Sequence, residues 1–396
     1  MIDFRNPYTP GVGMMPKYLA GRNTELESVK QRLLAIKAGY PARSVVYYGL
    51  RGVGKTVVLN AVAERAEDQG LLSRHIEVTE KSGSFVRSLS YACSAFVLSL
   101  SAKKTLQNKL GKLISVIRSF TATWNPSDNT ISFELEGDAL SFATAGTGNL
   151  TNDLTEVMVE LGRYAQKADT AICFCIDEIQ YASEGELEAL ITAVHRINQL
   201  GLPVIFFCAG LPKILKTMGD VKSYTERLFE FSRVDSLEID SARKAIIEPA
   251  AELRVAFEPK AVDAIIEQTN GYPYFIQEMC ATIWENSSSK VITVDDVASN
   301  IAATNERLDN GFFRVRFNRC APRQQEFLVA MVQCGELPRT MANVAANMGI
   351  SPTNRISTFR AQLIAKGLIY ATGYGEVDFT VPKFDEFIKR TLPEKF

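Results

Sequence analysis

Gly49, Gly54, Lys55 and Thr56 stand in "VVYYGLRGVGKTVVLN", residues 45–60, at the spacing Gly-x4-Gly-Lys-Thr. These residue types in this order form a phosphate-binding loop. The glycines let backbone N–H groups close around the β- and γ-phosphates, the lysine neutralises charge, and the threonine hydroxyl reaches Mg²⁺. The expected contact set is Gly49, Arg51, Gly52, Val53, Gly54, Lys55, Thr56 and Val57, with ATP and Mg²⁺ as cofactors. The flanks fit as well: "SVVYY" reads as a buried strand and "TVVLNAVAERAED" as a helix, whose N-terminal amides and dipole favour the anion.

Binding needs only this loop, whereas hydrolysis also needs a carboxylate for the metal shell and a base for the attacking water. "TAICFCIDEIQYA" supplies both candidates. Six apolar residues, Ala171 to Ile176, run into Asp177 and Glu178. Asp177 is expected at the metal with Thr56, and Glu178 at the nucleophilic water. The bland alternative is a strand that ends in a solvated acidic turn.

The elements between and after these motifs must bring them together. "NAVAERAEDQG" closes a helix at Gly70, "SRHIEVTE" reads as a strand, "GELEALITAVHRINQLG" as a helix and "LPVIFFCAG" as another buried strand. Alternating helix and strand implies an α/β fold with a parallel sheet, whose ligands gather at the carboxyl ends of the strands. There Gly49–Thr56, Asp177–Glu178 and Cys208–Gly210 would meet. One segment breaks the rhythm. "TATW" and "TISFEL" flank Asn125-Pro126-Ser127-Asp128-Asn129, which predicts an inserted β-hairpin near residues 119–137.

Composition narrows the classes. The chain has 396 residues, 46% hydrophobic and 22% charged, with a net charge of −1, which suits two or three globular domains and argues against disorder or fibres. Runs such as "AICFCI" are too short to span a bilayer, and "MIDFRNPYTP" carries charges where a signal peptide is apolar, so a cytoplasmic protein without a membrane partner is expected. Seven cysteines without a C-x-x-C pair, and only two histidines, give little support to a metal cluster or disulfide framework. Cys173 and Cys175 read as small core residues, and His195 as a helix-surface or core histidine. Residues 311–396 hold 12 Lys+Arg and 7 Asp+Glu, a local excess of +5, so an acidic partner is to be sought there.

"YLAGRNTELESV", "GLRGVGKT", "CIDEIQYA", "FFCAGLPK", "YTERLFEFSRVDSLE" and "TNGYPYFIQEMCATIW" follow one another in an order that resembles AAA+ ATPases of the origin-recognition type. These and their bacterial and archaeal relatives grade into the signal-transducing STAND class. The likeness runs from about Lys17 to Lys389. It implies a P-loop AAA+ core over residues 1–239, a helical lid over 240–300 and ATPase activity. It also implies that Gly21 and Arg22 frame the adenine side, and that Arg227 serves as an arginine finger toward a neighbouring subunit of a homo-oligomer. The alternative for Arg227 is a surface pair with Glu226 or Glu230. Two departures, Cys208-Ala209-Gly210 where a polar sensor residue is usual and Gly271-Tyr272-Pro273-Tyr274 where a lid arginine is usual, imply slow turnover.

Residues 311–396 resemble a winged helix-turn-helix domain: three helical stretches, then strands around Gly373-Tyr374-Gly375. The third helix, capped by Ser351 or Thr353, would present Asn354, Arg355, Thr358 and Arg360 to double-stranded DNA. A nucleotide-controlled DNA-associated ATPase follows. The competing reading is a STAND-like switch that engages a protein partner without DNA.

Overall fold

The computed structural model of the protein describes residues 5–102, 110–124, 147–351 and 353–396. It divides into two compact units. One comprises Arg22–Gly49 and Lys55–Val234; the other comprises the chain up to Gly21, the loop tip Leu50–Gly54, and Asp235–Phe396.

The first unit is built on five parallel strands: β1 (Ser44–Tyr48), β2 (Leu72–Glu77), β3 (Ile172–Asp177), β4 (Val204–Gly210) and β5 (Phe229–Arg233). Their order is β2-β3-β4-β1-β5. Every residue of β3 and β4 is buried, as continuous apolar runs in a sheet covered on both faces must be. Register follows from that burial. Ile176 lies opposite Cys208 and Tyr48 opposite Gly210, which brings the carboxyl ends of β1, β4 and β3 side by side. The helices are α1 (Asn23–Lys37), α2 (Lys55–Asp68), α3 (Ser84–Ser101), α4 (Gly111–Trp124), α5 (Leu150–Lys167), α6 (Glu184–Gln199), α7 (Lys213–Val221) and α8 (Thr225–Leu228).

Phe174 of β3 stacks on Phe206 of β4 at 4.8 Å, and Phe96 of α3 meets Phe174 edge-on at 5.0 Å. Each buried ring contributes about 1.5–3 kcal/mol relative to an exposed one. α6 starts at a capping box: the Ser183 hydroxyl accepts from Glu186 N–H at 3.3 Å, and the Glu186 carboxylate accepts from Ser183 N–H at 2.8 Å. Cys173 and Cys175 are buried in β3 without a disulfide, and His195 lies half-buried on α6 against the Tyr224 ring.

The expected hairpin near 119–137 is corrected in its first arm. Residues 119–124 are helical, the last turns of α4. Leu113, Val116, Ile117 and Phe120 recur at helical spacing and are fully buried, and this burial outweighs the local alternation of "TATW". The rest of that hairpin lies outside the described residues.

In the second unit, α9 (Ile239–Ala251), α10 (Pro259–Thr269), α11 (Pro273–Asn286) and α12 (Val294–Leu308) pack around Ile246, Ile265, Ile276 and Trp284. β6 (Ala256–Phe257) and β7 (Val291–Ile292) pair in parallel beside them. The segment up to Gly21, expected with the ATPase core, joins this cluster instead. Tyr8 sets its ring edge-on to Trp284 at 6.1 Å, Asn6 Nδ2 donates to Ala281 O at 3.1 Å, and Thr9 N–H donates to Gln277 Oε1 at 2.9 Å.

A π-helical turn, Asp309–Phe313, leads into α13 (Arg314–Asn318), α14 (Pro322–Gln333), β8 (Arg339–Thr340), α15 (Met341–Asn347), α16 (Ser357–Ala365), β9 (Ile369–Gly373), β10 (Glu376–Phe379) and α17 (Phe384–Thr391). The three strands form an antiparallel sheet in the order β8-β10-β9. The helix expected from Ser351 or Thr353 begins later. Thr353–Ile356 forms a 3₁₀ turn, in keeping with the weak helix preference of Thr and Asn, and the α-helix starts at Ser357.

α5 crosses the sheet at Gly162, where an added Cβ would stand 2.8 Å from Leu202 Cβ and 3.2 Å from Val204 Cγ2. Gly162→Ala is expected to lower stability by about 1–3 kcal/mol through overpacking, read as a fall in thermal midpoint. An unchanged midpoint would show that helix and strand can separate freely there.

Candidate functional site

Asp177 ends β3 and Glu178 follows it. Thr56, the second residue of α2, donates from Oγ1 to Asp177 Oδ2 at 2.6 Å. The loop and the acidic strand end, more than a hundred residues apart in sequence, thus meet directly. Asp177 is only 5% exposed, and burial pushes its carboxyl above the ordinary range, opposed by the Thr56 bond. The Glu178 N–H and the charge of Lys55 oppose that rise as well.

Lys55, also buried, donates from Nζ to Gly49 O at 3.0 Å, and Gly49 N–H donates to Gly210 O at 3.3 Å. The loop entrance is therefore fastened to the end of β4, with the lysine folded along it. Glu178 adopts the left-handed conformation, φ 52°, which is uncommon for a residue with a side chain. Its N–H donates to Asp177 Oδ1 at 2.8 Å, and its carboxylate accepts from the Gln180 amide.

Gly52 and Gly54 take φ of 86° and 92°, conformations that a phosphate loop requires and that glycine alone supplies without strain. The tip residues pack within the second unit. A Cβ on Gly52 would stand 3.0 Å from Tyr272 Cε1, Val53 is fully buried, and Tyr272 Oη donates to Arg51 O. Arg51 donates from N–H to Thr380 O at 3.1 Å and from Nε to Gly367 O at 3.3 Å. Val57 is half-buried on α2.

A cation fits the paired Thr56 hydroxyl and Asp177 carboxylate, whose remaining coordination positions would fall to phosphate oxygens and water. That donor set suits Mg²⁺, which is held by one or two protein oxygens and keeps its waters. Among the described residues no cluster of three or more His, Cys, Asp or Glu offers an all-protein metal site.

The remaining expected residues lie on other elements of the two units. Gly21 turns with φ 65° against Ser241 and Leu237, and Arg22 is buried at the start of α1. Arg227 sits exposed on α8. Its alternative partner Glu230 is instead bound by Arg32 at 2.5 Å and Arg43 at 3.6 Å. Asn354 and Arg355 occupy the 3₁₀ turn, whereas Thr358 and Arg360 lie on α16. Arg355 and Thr358 are exposed; Arg360 is half-buried, its Nε without a hydrogen-bond partner among the described residues. Sequence reasoning missed Gln180, Thr380 and Gly367. Gln180 stood two residues past the acidic pair, and no spacing signal marked the other two.

Residues 18–207 match the family model of the AAA ATPase domain, and residues 310–388 match one described as a domain of unknown function (DUF8462). No sequence among curated proteins matches. Among solved structures, the Walker-type ATPase PABY2304 of Pyrococcus abyssi is similar, with TM-score 0.58 and 15% identity over 98% of this chain and 99% of that one. The Orc1 protein of Aeropyrum pernix, solved in complex with DNA, gives TM-score 0.48 and 15% identity over 95% and 94%. The Thr56–Asp177 contact, the sheet order β2-β3-β4-β1-β5 and the domain match agree: residues 18–207 of this chain carry an AAA ATPase domain with a P-loop fold.

Proposed function

We propose that this protein binds ATP with Mg²⁺, hydrolyses it slowly, and uses the nucleotide state to control contact with double-stranded DNA through a C-terminal winged helix. The Thr56–Asp177 hydrogen bond beside Glu178 carries the nucleotide part of this reading. Lys55 and the α2 N-terminus bind the phosphates, and Thr56 with Asp177 holds the metal. When bound, Mg²⁺ neutralises charge on the phosphate oxygens. Glu178 orients the attacking water and accepts its proton. Arg227, exposed on α8, is available to a second copy of the chain as a finger. Slow turnover follows from Cys208-Ala209-Gly210 and Gly271-Tyr272-Pro273-Tyr274, which lack the polar and cationic groups that would stabilise developing charge.

The DNA part is supported by the order α14, β8, α15, α16, β9, β10, by Arg355 and Thr358 exposed before and on α16, and by Tyr374 fully exposed between β9 and β10. Its electrostatic share is small, because Arg323, Arg339, Lys383 and Arg390 are already paired with carboxylates.

ATP turnover measured with and without duplex DNA, against Glu178→Gln, tests the whole. Stimulation by DNA is expected. Tightly retained nucleotide with no DNA effect would transfer the reading to a protein-directed switch. Arg355→Ala with Arg360→Ala should weaken DNA binding and reduce the slope of log affinity against log salt by about 2; an unchanged slope places the contact elsewhere.

Asp177→Asn separates metal binding from folding. Burial raises the Asp177 pKa, so the folded chain holds this proton more tightly than the unfolded one, and the ionised group costs stability above the unfolded value. At neutral pH the nucleotide-free variant should therefore unfold at a higher midpoint, while Mg²⁺-dependent nucleotide binding is lost. A lower midpoint would mean that the carboxylate is stabilised where it stands.

A further inference from the structure

Gln180 lies in the 3₁₀ turn Ile179–Tyr181 and is only 7% exposed. Its side-chain amide joins two points. Oε1 accepts from Leu211 N–H, just beyond β4, at 3.0 Å, and Nε2 donates to the Glu178 carboxylate. Chemistry fixes this orientation: a backbone N–H can only donate, so oxygen must face Leu211, and the NH₂ group then meets the carboxylate, which can only accept.

The end of β4 is shaped to admit this amide. A Cβ on Gly210 would stand 2.9 Å from Gln180 Oε1 and 3.0 Å from Ile179 Cγ2. Gly210 has no positive φ, so the reason for glycine there is space rather than backbone conformation. Cys208-Ala209-Gly210 brings no polar side chain to this strand end. The polar group arrives from the neighbouring strand's turn instead.

We propose that Gln180 is the positioning residue for Glu178. Its carboxamide holds one carboxylate oxygen against the end of β4, which directs the other toward the attacking water. This rests on the ATPase reading above. The left-handed backbone of Glu178 sets where its side chain starts, the amide of Gln180 sets where its carboxylate ends, and a misplacement of about 1 Å can cost about a hundredfold in rate.

The experiment is steady-state ATP turnover with separate measurement of nucleotide affinity. Gln180→Met keeps volume and removes both hydrogen bonds; kcat should fall at least about tenfold, with nucleotide affinity unchanged, as for an interaction used in the transition state. Gly210→Ala should lower kcat similarly by displacing the amide, and the two together should cost no more than either alone, because they break one contact. Gly210→Asn placed on Gln180→Ala, which vacates the space, should restore part of the lost rate by returning a carboxamide from β4. Wild-type kcat in Gln180→Met, with Glu178→Gln inactive, overturns this assignment and leaves the ATPase reading standing. No turnover in the wild type above the Glu178→Gln blank overturns both. A kcat loss in Gln180→Met that tracks an equal loss of nucleotide affinity marks a structural role and overturns the assignment as well.

Discussion

The site depends on one contact, the 2.6 Å hydrogen bond from Thr56 to Asp177, and that contact depends on strand order. β1 and β3 are not neighbours; β4 lies between them. In parallel pairing a shift of one residue along β4 would turn its buried side chains to the other face and move its end away from Gly49. Because every residue of β3 and β4 is buried, the packing of Phe174, Phe206 and Phe207 fixes that register far more strongly than the polar groups at the strand ends could. The apolar middle of the sheet thus determines whether the polar ends meet.

This explains what the sequence made legible. The Gly49–Thr56 loop and Asp177–Glu178 were readable because phosphate and metal chemistry demands fixed residue types at short spacing, next to apolar runs of unmistakable length. The α/β order was readable for the same reason. Arg227 could be placed after the fourth strand, while its freedom from Glu230 needed the positions of Arg32 and Arg43, far away in the chain.

Other features were illegible because they rest on tertiary packing. "TATW" alternates like a strand, yet the helix that ends in it is decided by Leu113, Val116, Ile117 and Phe120, a period visible only when the window is widened upstream. β8 is two residues long, below any pattern. The segment around Tyr8 carries no periodicity, and its place against Trp284 and Gln277 comes from hydrogen bonds to groups nearly 270 residues away. The function of Gln180 is written jointly in an amide and in the missing side chain of Gly210, and neither is informative alone.

Two energetic costs at the site bear on the slow turnover proposed above. Asp177 is a carboxylate whose burial disfavours its charge, and Glu178 is held in a backbone conformation that costs on the order of 1–3 kcal/mol for a residue with a side chain. Both costs are borne by the nucleotide-free protein, and the first is relieved when a cation enters. A ligand that binds only the folded chain stabilises it by RT ln(1 + [L]/Kd), about 2.7 kcal/mol at a hundredfold excess over Kd. On the reading proposed above, the lack of a cationic or polar side chain at Cys208–Gly210 leaves more of the available binding energy with the ground state than with the transition state, which is the physical ground for proposing slow turnover with retained nucleotide.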